Sequence, residues 1–249
     1  MQLIISLVFL FAAGALTGWL IELIFRRFVS QKSWVNPGFL NGPYLPLYGV
    51  STIALYSISH LVLPLWLKIM LFIVVPTGIE LITGLIFVNW FNIKLWDYSD
   101  QWGNFKGIIC PLFTVFWGIL GAIFNLIIYP ILFERLDFLM SHIELSFFVG
   151  IFLGIFILDC INSFDVANQI KKVLSETEER VQVNYEKLKL EAREWASEHT
   201  NRGLHQRYMS TFNGKARPAL RETVERQVER FKQSKTSAER LLKMRRKER

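Results

Sequence analysis

The sequence predicts an all-α membrane protein with about five transmembrane helices and a cytoplasmic helical hairpin. Apolar runs of roughly twenty residues, enough to cross about 30 Å of hydrocarbon, recur through residues 1–164. Those residues hold only seven of the 28 Lys and Arg residues. The other 21 lie in residues 165–249, which contain two amphipathic stretches with helical periodicity. We therefore divide the chain into a transmembrane domain, 1–164, and a basic tail, 165–249.

Five apolar segments are predicted to span the membrane. They are Leu3–Phe25, Leu45–Trp66, Ile69–Asn89, Ile108–Phe133 and Ile143–Phe164. Pro46 opens the second span, because a proline in the first helical turn gives up an amide that has no partner there. Pro64 and Pro76 are expected at or near the outer ends of the second and third spans, where a lost backbone hydrogen bond is tolerated.

Basic residues in the short loops predict the orientation. The loops after the first and third spans hold five of them: Arg26, Arg27, Lys32, Lys94 and Lys106. The alternate loops hold only Lys68 and Arg135. By the positive-inside rule, the N-terminus lies outside the cell membrane and the tail lies in the cytoplasm. An odd number of spans agrees with this orientation.

The stretch Asn36–Gly49 is unusual for a segment between two apolar spans, because it holds three prolines and three glycines. Irregular backbone at the edge of a bilayer must be buried in protein or line a wet cavity, since lipid cannot satisfy its amides. Two interpretations stay open. The stretch is either a tight connection between two helices or a loop that turns back into the bundle and forms part of a polar site.

Carboxylates occur toward the predicted cytoplasmic ends of the spans. Glu22 can pair with Arg26 four residues later, on the same helix face. Asp159, one turn from the end of the fifth span, is interpreted as an interfacial carboxylate or a member of an ordinary ion pair. Glu80 lies about 18 Å into the third span, counted from Lys68 at the helical rise. At that depth a carboxylate is costly unless it is paired, protonated or facing water.

We therefore expect Glu80 to point inward, within one side-chain layer of Gly42–Tyr48 or Trp96–Asn104. Asn41, Tyr44 and Asn104 are the loop residues expected to donate hydrogen bonds to Glu22 and Glu80. An intramembrane enzyme that uses Glu80 and Asp97 as acid and base is a further hypothesis, although no nucleophile or metal set accompanies them.

The first and second pairs of spans show a candidate internal repeat. Five residues recur 65 positions later: Gly38, Gly42, Pro46, Leu47 and Tyr48 match Gly103, Gly107, Pro111, Leu112 and Phe113. Each unit has a span with an inward-end carboxylate, a polar loop, and a returning span that begins at a proline. Both units run in the same direction, which predicts a parallel repeat about an axis along the membrane normal. Chance matching of Gly and Pro is the alternative.

The polar residues of the loops and span ends form one hypothesis, an inward-facing vestibule. Its candidates are Glu22, Arg26, Asn36, Asn41, Tyr44, Tyr48, Glu80, Trp96, Asp97, Tyr98 and Asn104. The chain has no GxxxxGK[ST] phosphate-binding loop, no HExxH, no CxxC and no GxSxG. We therefore predict no catalytic residue, no metal site and no cofactor.

The tail is predicted to form one helix from about Asp165 to Glu198 and a second from Pro218. One apolar stripe consists of Ile170, Leu174, Thr177, Val181, Leu188, Ala192 and Trp195, and the other of Leu220, Val224, Val228, Phe231, Ala238 and Leu241. Such stripes favour packing within the tail or between copies in a homo-oligomer. The basic end of the tail can contact anionic lipid of the bilayer. Nucleic acid is not an expected partner, since no recognition motif accompanies the charge.

Four sequence blocks resemble the bacterial CmpB-like family of ABC-transporter type IV membrane permeases. They are Gly18-Trp19 with Glu22, Asn36–Gly49, Trp96-Asp97-Tyr98-Ser99, and Asn104 with Gly107 and Cys110. The resemblance covers about residues 14–130. It implies a permease subunit that works with a separate ATPase, and it implies no substrate. The alternative is a non-transporting scaffold or regulatory protein whose tail recruits a partner to the membrane.

Overall fold

The computed structural model describes residues 2–30, 34–142, 144, 146–176, 181–199 and 216–247. These residues form eight helices and two short strands: α1 Gln2–Phe25, α2 Pro46–His60, α3 Leu65–Ile86, β1 Ile93–Lys94, α4 Pro111–Ile123, α5 Tyr129–Ser141, α6 Ser146–Glu176, β2 Val183–Asn184, α7 Tyr185–His199 and α8 Ala216–Lys247. Single π-helical segments extend α1 over Arg26–Ser30 and α3 over Phe87–Phe91, and Phe124–Ile128 joins α4 to α5.

The all-α, polytopic prediction is confirmed, but the number of long spans differs from five. Within the described residues, four helices are long and apolar enough to cross a membrane: Leu3–Val29, Leu65–Phe91, Pro111–Leu136 and Ser146–Glu176. The second predicted span is shorter, because α2 has 15 residues, which is about 22 Å at the helical rise.

Pro64 and Pro76 mark where the second and third spans differ from the prediction. The Pro64 carbonyl accepts the N–H groups of Leu67 and Lys68, so α3 begins there and takes in Trp66, which was assigned to the second span. The expectation that Pro76 lies near the outer end of the third span is wrong. Pro76 is buried inside α3, one turn before Glu80.

The described chain forms two compact units. The described residues within 1–86 and 96–163 form the first, here called the bundle unit, and those within 87–95 and 164–249 form the second, the tail unit. The predicted boundary after residue 164 lies close to the point where α6 passes from one unit to the other. The tail unit also includes the end of the helix that begins with α3.

Helix pairs in the bundle unit approach closely at glycines. A Cβ atom on Gly18 of α1 would lie 2.2 Å from the Tyr48 ring of α2. A Cβ atom on Gly121 of α4 would lie 2.3 Å from Phe72 of α3. Since real side chains do not come this close, larger residues at these positions would force the helices apart.

The connection between α1 and α2 resembles the connection between α3 and α4. Leu45 and Cys110 are extended residues, and each precedes a proline, Pro46 or Pro111, at the start of the returning helix. The first turns of α2 and α4 therefore form as predicted. The similarity of the loops and returning helices favours the internal repeat, and its axis stays a prediction.

The loop before α2 turns back into the bundle. The Leu45 N–H donates to the Ala15 carbonyl at 2.9 Å, and Ala15 lies about 15 Å before the end of α1 at the helical rise. Leu40 and Tyr44 are buried here with Ala15, and Phe11 packs against them. Of the two interpretations of Asn36–Gly49, the structure supports the re-entrant loop, because the chain turns back into the bundle; its part in a polar site stays a prediction.

The tail unit is built around a short parallel strand pair. Ile93 pairs with Val183, and the Val183 N–H donates to the Asn92 carbonyl at 2.9 Å. The predicted continuous helix from Asp165 to Glu198 is therefore wrong, because α6 ends at Glu176 and residues 183–184 pair with β1 instead. Thr177 lies outside the described residues.

The apolar stripes of the tail are confirmed in part. Buried members are Ile170, Leu174, Val181, Leu188, Val224 and Val228. Phe231 was expected in the second stripe, but 50% of it is exposed. Helices α7 and α8 are joined by an ion pair between Arg230 and Glu191 at 2.9 Å. The described side chains thus favour a packed helical tail; those of Trp195, Leu220, Ala238 and Leu241 are not among them.

Ile93 is expected to hold the tail unit together. Its side chain is wholly buried, and Ile→Ala in a core costs about 2–5 kcal/mol. In Ile93→Ala, amide hydrogens of residues 185–192 and 221–232 should exchange faster with solvent, as measured by mass spectrometry. Phe231→Ala, a half-exposed site in the same unit, is the control and should exchange like wild type. Equal exchange in the two variants would contradict the role given to β1.

Candidate functional site

Asp159 on α6 is the acceptor for the re-entrant loop. Its Oδ2 accepts the Gly42 N–H and the Tyr44 hydroxyl, both at 2.7 Å. Its Oδ1 accepts the Asn41 N–H at 3.2 Å, the Asn41 Nδ2 at 3.0 Å and the Ser163 hydroxyl at 3.3 Å. An ionised carboxylate has about four acceptor positions. Asp159 is therefore saturated by donors from the loop and from its own helix.

Asn36 organises the loop from inside. Its Oδ1 accepts the Trp19 indole N–H at 2.9 Å and the Gly38 N–H at 3.1 Å. Its Nδ2 donates to the carbonyls of Leu40 and Asn41, both at 2.9 Å. One amide side chain thus fastens the loop to α1 and closes its turn.

Tyr44 connects the loop to an aromatic layer. Its ring packs edge-on against Phe152 and Phe156 of α6. Burial, with the hydrogen bond to Asp159 and its negative charge as further causes, raises the pKa of Tyr44. The hydroxyl therefore keeps its proton at neutral pH and remains a donor to Asp159.

Glu80 on α3 is the most buried of the described carboxylates in the bundle unit and is only 5% exposed. The Tyr98 hydroxyl donates to its Oε1 at 3.1 Å, and the Trp117 indole N–H donates to its Oε2 at 3.0 Å. The expectation that Glu80 points inward, beside the loop Trp96–Asn104, is confirmed. Both of these donors are neutral, so neither balances the charge of an ionised Glu80.

Glu22 and Arg26 form the predicted ion pair, with 3.0 Å between Arg26 Nε and Glu22 Oε1. The Tyr48 hydroxyl lies 3.4 Å from the other oxygen of Glu22. The Tyr48 ring also packs on Trp117, with ring centroids 5.4 Å apart. Tyr48 and Trp117 therefore form a continuous side-chain path from the Glu22–Arg26 pair to Glu80.

Tyr98 reaches Glu80 from the second loop, residues 95–110 between β1 and α4. Its ring stacks on Phe113, with centroids 4.4 Å apart. Burial, followed by the charges of Glu80 and Glu22, raises the pKa of Tyr98. Tyr98 therefore stays protonated at neutral pH and can act only as a donor when Glu80 is ionised.

The remaining candidates of the second loop form hydrogen bonds with backbone groups. Asn104 Nδ2 donates to the carbonyls of Ser99 and Gln101 at 3.0 and 2.9 Å, and its Oδ1 accepts the Gly107 N–H at 3.0 Å. Asp97 is exposed and accepts the Ser99 N–H at 3.0 Å. The Trp96 indole donates to the Ile108 carbonyl at 2.8 Å.

The vestibule candidates thus lie in three places. Asn36, Asn41 and Tyr44 belong to the loop bound by Asp159. A second group is connected through Trp117 and consists of Glu22, Arg26, Tyr48, Glu80 and Tyr98, whereas Trp96, Asp97 and Asn104 support the backbone of the second loop. Asn41 and Tyr44 donate to Asp159, and Asn104 donates to backbone carbonyls. Their predicted hydrogen bonds to Glu22 and Glu80 are therefore absent from the described contacts. Asp159 and Trp117 are absent from the candidates predicted from the sequence, since each contacts a partner distant in sequence.

Comparison with known protein families adds an independent finding. Residues 9–164 match the profile of a family described as "Putative ABC-transporter type IV". The match covers more than half of the chain. The chain belongs to this family. No curated protein and no solved structure matches it significantly.

As a member of the ABC-transporter type IV family, the chain is a multi-pass membrane protein. The matched segment includes α1 from Phe9 onward, α2 to α5, both loops, and α6 as far as Phe164. It therefore contains Asp159 and Glu80 with all the partners described above. Helices α7 and α8 lie outside the match.

Asp159 should stabilise the re-entrant loop more than an exposed carboxylate does. In Asp159→Ala, the Gly42 amide and the Tyr44 hydroxyl lose their acceptor, at about 1–3 kcal/mol for each donor that stays buried. We expect a lower thermal unfolding temperature in detergent, partly restored in Asp159→Asn, which keeps one carbonyl oxygen. Asp100→Ala, at an exposed loop position, is the matched control. An unfolding temperature of Asp159→Ala equal to that of Asp100→Ala would contradict the prediction.

Proposed function

We propose that the protein is the membrane permease subunit of an ABC-type transporter with a separate ATPase. The observation that carries the proposal is Glu80, a carboxylate buried in the bundle unit whose two donors are neutral groups of the second loop and α4. Inside a membrane, ionisable residues are expensive, and they typically mark the path of a substrate or an ion.

The surroundings of Glu80 support a path rather than a sealed core. Glu22 and Arg26 continue the polar side chains toward the end of α1, and 25% of the Glu22 side chain is exposed. Tyr48 and Trp117 lie between this ion pair and Glu80. A substrate entering at Glu22 would meet charged and hydrogen-bonding groups on its way to Glu80. We infer that these residues form the inward-facing vestibule.

A separate ATPase accounts for the energy source. The chain has no phosphate-binding loop of the GxxxxGK[ST] type, and its family is described as an ABC transporter. The helix Leu65–Phe91 carries Glu80, and its last turn belongs to the tail unit. We infer that an ATPase bound to the tail unit would act on Glu80 through this one helix.

Glu80→Gln tests the permease proposal, because it keeps the shape of the side chain and removes the charge. The full chain is purified from its native membranes in mild detergent, and ATP hydrolysis of the assembly is measured. We expect an ATP-hydrolysing partner in the wild-type assembly and about tenfold slower turnover in Glu80→Gln, equivalent to about 1.4 kcal/mol.

Glu134→Gln, at an exposed site of α5, is the control and should leave ATP turnover unchanged. Wild-type protein without an ATP-hydrolysing partner would contradict the proposal. Equal turnover in Glu80→Gln and Glu134→Gln would contradict the role of Glu80.

We also propose that the protein lies in the cell membrane with its N-terminus outside and its tail in the cytoplasm, as the loop charges indicate. Val62, between α2 and α3, and Gln101, in the second loop, are both exposed. In a variant with Cys110 and Cys160 replaced by Ala, an impermeant maleimide added to intact cells should label Val62→Cys but not Gln101→Cys. Labelling of Gln101→Cys before the cells are opened would reverse the orientation.

A scaffold that recruits a partner is the second candidate function, and the surface of α8 favours it. Arg221, Arg226 and Arg230 are exposed along this helix. Each has a carboxylate within 3.6 Å, which leaves a mixed, charged surface suited to a polar partner. A variant lacking residues 216–247 that loses its partner while ATP turnover persists would assign α8 to recruitment.

A further inference from the structure

The hydrogen bonds of Glu80 define what this buried carboxyl group can bind. The Tyr98 hydroxyl lies 3.1 Å from its Oε1, and the Trp117 indole nitrogen lies 3.0 Å from its Oε2. An ionised carboxylate has about four acceptor positions. In the ionised state, about two of them have no donor among the described residues, although Glu80 is only 5% exposed. A buried charge that neither water nor a donor compensates costs free energy.

A carboxylic acid at the same place has a partner for each oxygen. The Trp117 indole can only donate, so Oε2 remains the acceptor of this bond. A hydroxyl can donate or accept. A proton on Oε1 can therefore be donated to the Tyr98 oxygen across the same 3.1 Å. Protonation requires only that the Tyr98 hydroxyl turn, and the side chains keep their positions.

The charged groups near Glu80 do not balance an ionised side chain. On α1, Glu22 is paired with Arg26 at 3.0 Å, and this pair is neutral as a whole. Tyr48 of α2 packs on the indole that donates to Glu80, and Tyr98 approaches from the second loop, so both bring hydroxyl groups. The described contacts of Glu80 include no ion pair. A bound proton removes the charge that these neighbours leave uncompensated.

Asp159 provides a comparison within the bundle unit. It has five described donors, three of which are N–H groups of Asn41 and Gly42. Hydrogen bonds to the charged form of a group favour that form. The donors of Asp159 therefore favour the carboxylate, whereas the two donors of Glu80 leave room for the neutral acid.

We propose that Glu80 is a reversible proton-binding site, which at neutral pH carries a proton on Oε1 and donates it to the Tyr98 oxygen. Uptake converts the carboxylate and one proton from water into a carboxylic acid, so no other reactant is needed. Glu80 binds the proton, and Tyr98 is the positioning residue. Burial raises the pKa of Tyr98, so its hydroxyl keeps its own hydrogen throughout.

The proton couples Glu80 to the second loop. Hydrogen bonds to an ionised carboxylate are about twice as strong as those between neutral groups. Release of the proton therefore holds Tyr98 more tightly to α3, and uptake weakens this contact. The residues on either side of Tyr98, Asp97 and Ser99, are exposed. The loop that responds to the proton thus faces the solvent from which the proton comes.

The inference deepens the proposed function in one respect: a role for the proton in transport rests on the permease proposal. In that role, Glu80→Gln slows ATP turnover because a glutamine cannot release a proton. Proton binding itself does not rest on the permease proposal, because it is measured on the isolated protein. A protein that binds the proton but has no ATP-hydrolysing partner keeps the site and loses the permease. A protein with such a partner and an ionised Glu80 does the reverse.

Infrared difference spectroscopy of the purified full chain in detergent tests the site, because a carboxylic acid and a carboxylate absorb at different frequencies. At neutral pH, wild type should show a carboxylic-acid C=O band that Glu80→Gln lacks. The band should shift to lower frequency in D₂O, since the acid proton exchanges. Raising the pH should replace it by carboxylate absorption in a one-proton transition that reverses on acidification. Glu134→Gln removes an exposed carboxylate and is the matched control, which should keep the band.

Tyr98→Phe tests the positioning role, because it keeps the ring that stacks on Phe113 and removes the hydroxyl. The ionised form loses a donor, so the transition should move to higher pH by about one unit, a tenfold change in proton affinity. Tyr129→Phe removes a tyrosine hydroxyl that contacts His60 instead, and its transition should match wild type. A transition that stays in place in Tyr98→Phe would contradict the role of this hydroxyl.

The proposal is overturned if wild type has no carboxylic-acid band at neutral pH, or if the band persists in Glu80→Gln. It is also overturned if Tyr98→Phe and Tyr129→Phe shift the transition equally. If Glu80→Gln does not fold, the D₂O shift in wild type and the transition in Tyr98→Phe decide, because both proteins retain Glu80.

Discussion

A carboxylate among apolar helices needs hydrogen-bond donors, and in the bundle unit this requirement shapes the connections between helices. Asp159 takes its donors from backbone and side chains of Asn41–Tyr44. The loop can reach them only by turning back along α1 as far as Ala15. The loop therefore occupies part of the length of the bundle that α2, the helix after it, would otherwise cover. We attribute the 15-residue length of α2 to this exchange.

The sequence predicted local features of the fold well, because their causes lie within a few residues. Pro46 and Pro111 begin helices since a first-turn proline gives up no hydrogen bond. Glu22 and Arg26 pair because they are four residues apart on one helix. The inward direction of Glu80 followed from the cost of exposing a carboxylate to lipid.

Long-range partners could not be predicted in the same way. Asp159 binds residues more than 110 positions earlier, and Trp117 is 37 positions from Glu80. No local pattern marks either contact. Residues 165–198 have a helical pattern, yet the pairing of Val183 with Ile93 interrupts the helix. Tertiary pairing here overrides local propensity, and the distant partner strand is only two residues long.

The pairs α1–α2 and α3–α4 have similar connections, each ending in a proline that starts the returning helix. The polar groups of the two connecting loops, however, find their hydrogen-bond partners in different ways. The first loop depends on α6, because Asp159 accepts its donors. The second loop satisfies much of its own backbone through Asn104 and Trp96. It can therefore direct Tyr98 to Glu80. The difference explains why the repeat is weak in sequence: matching glycines and prolines set the backbone, whereas the polar partners of each loop are its own.

This difference also separates structural from functional carboxylates. The five described donors to Asp159 fill its acceptor positions, and Glu22 is paired with Arg26. Glu80 has two described donors, both uncharged. A charge held by neutral donors in an apolar surrounding gains the most from a further ligand, since nearby charges are screened least there. Among the three carboxylates, Glu80 is therefore the one whose surroundings a bound ion or substrate would change most.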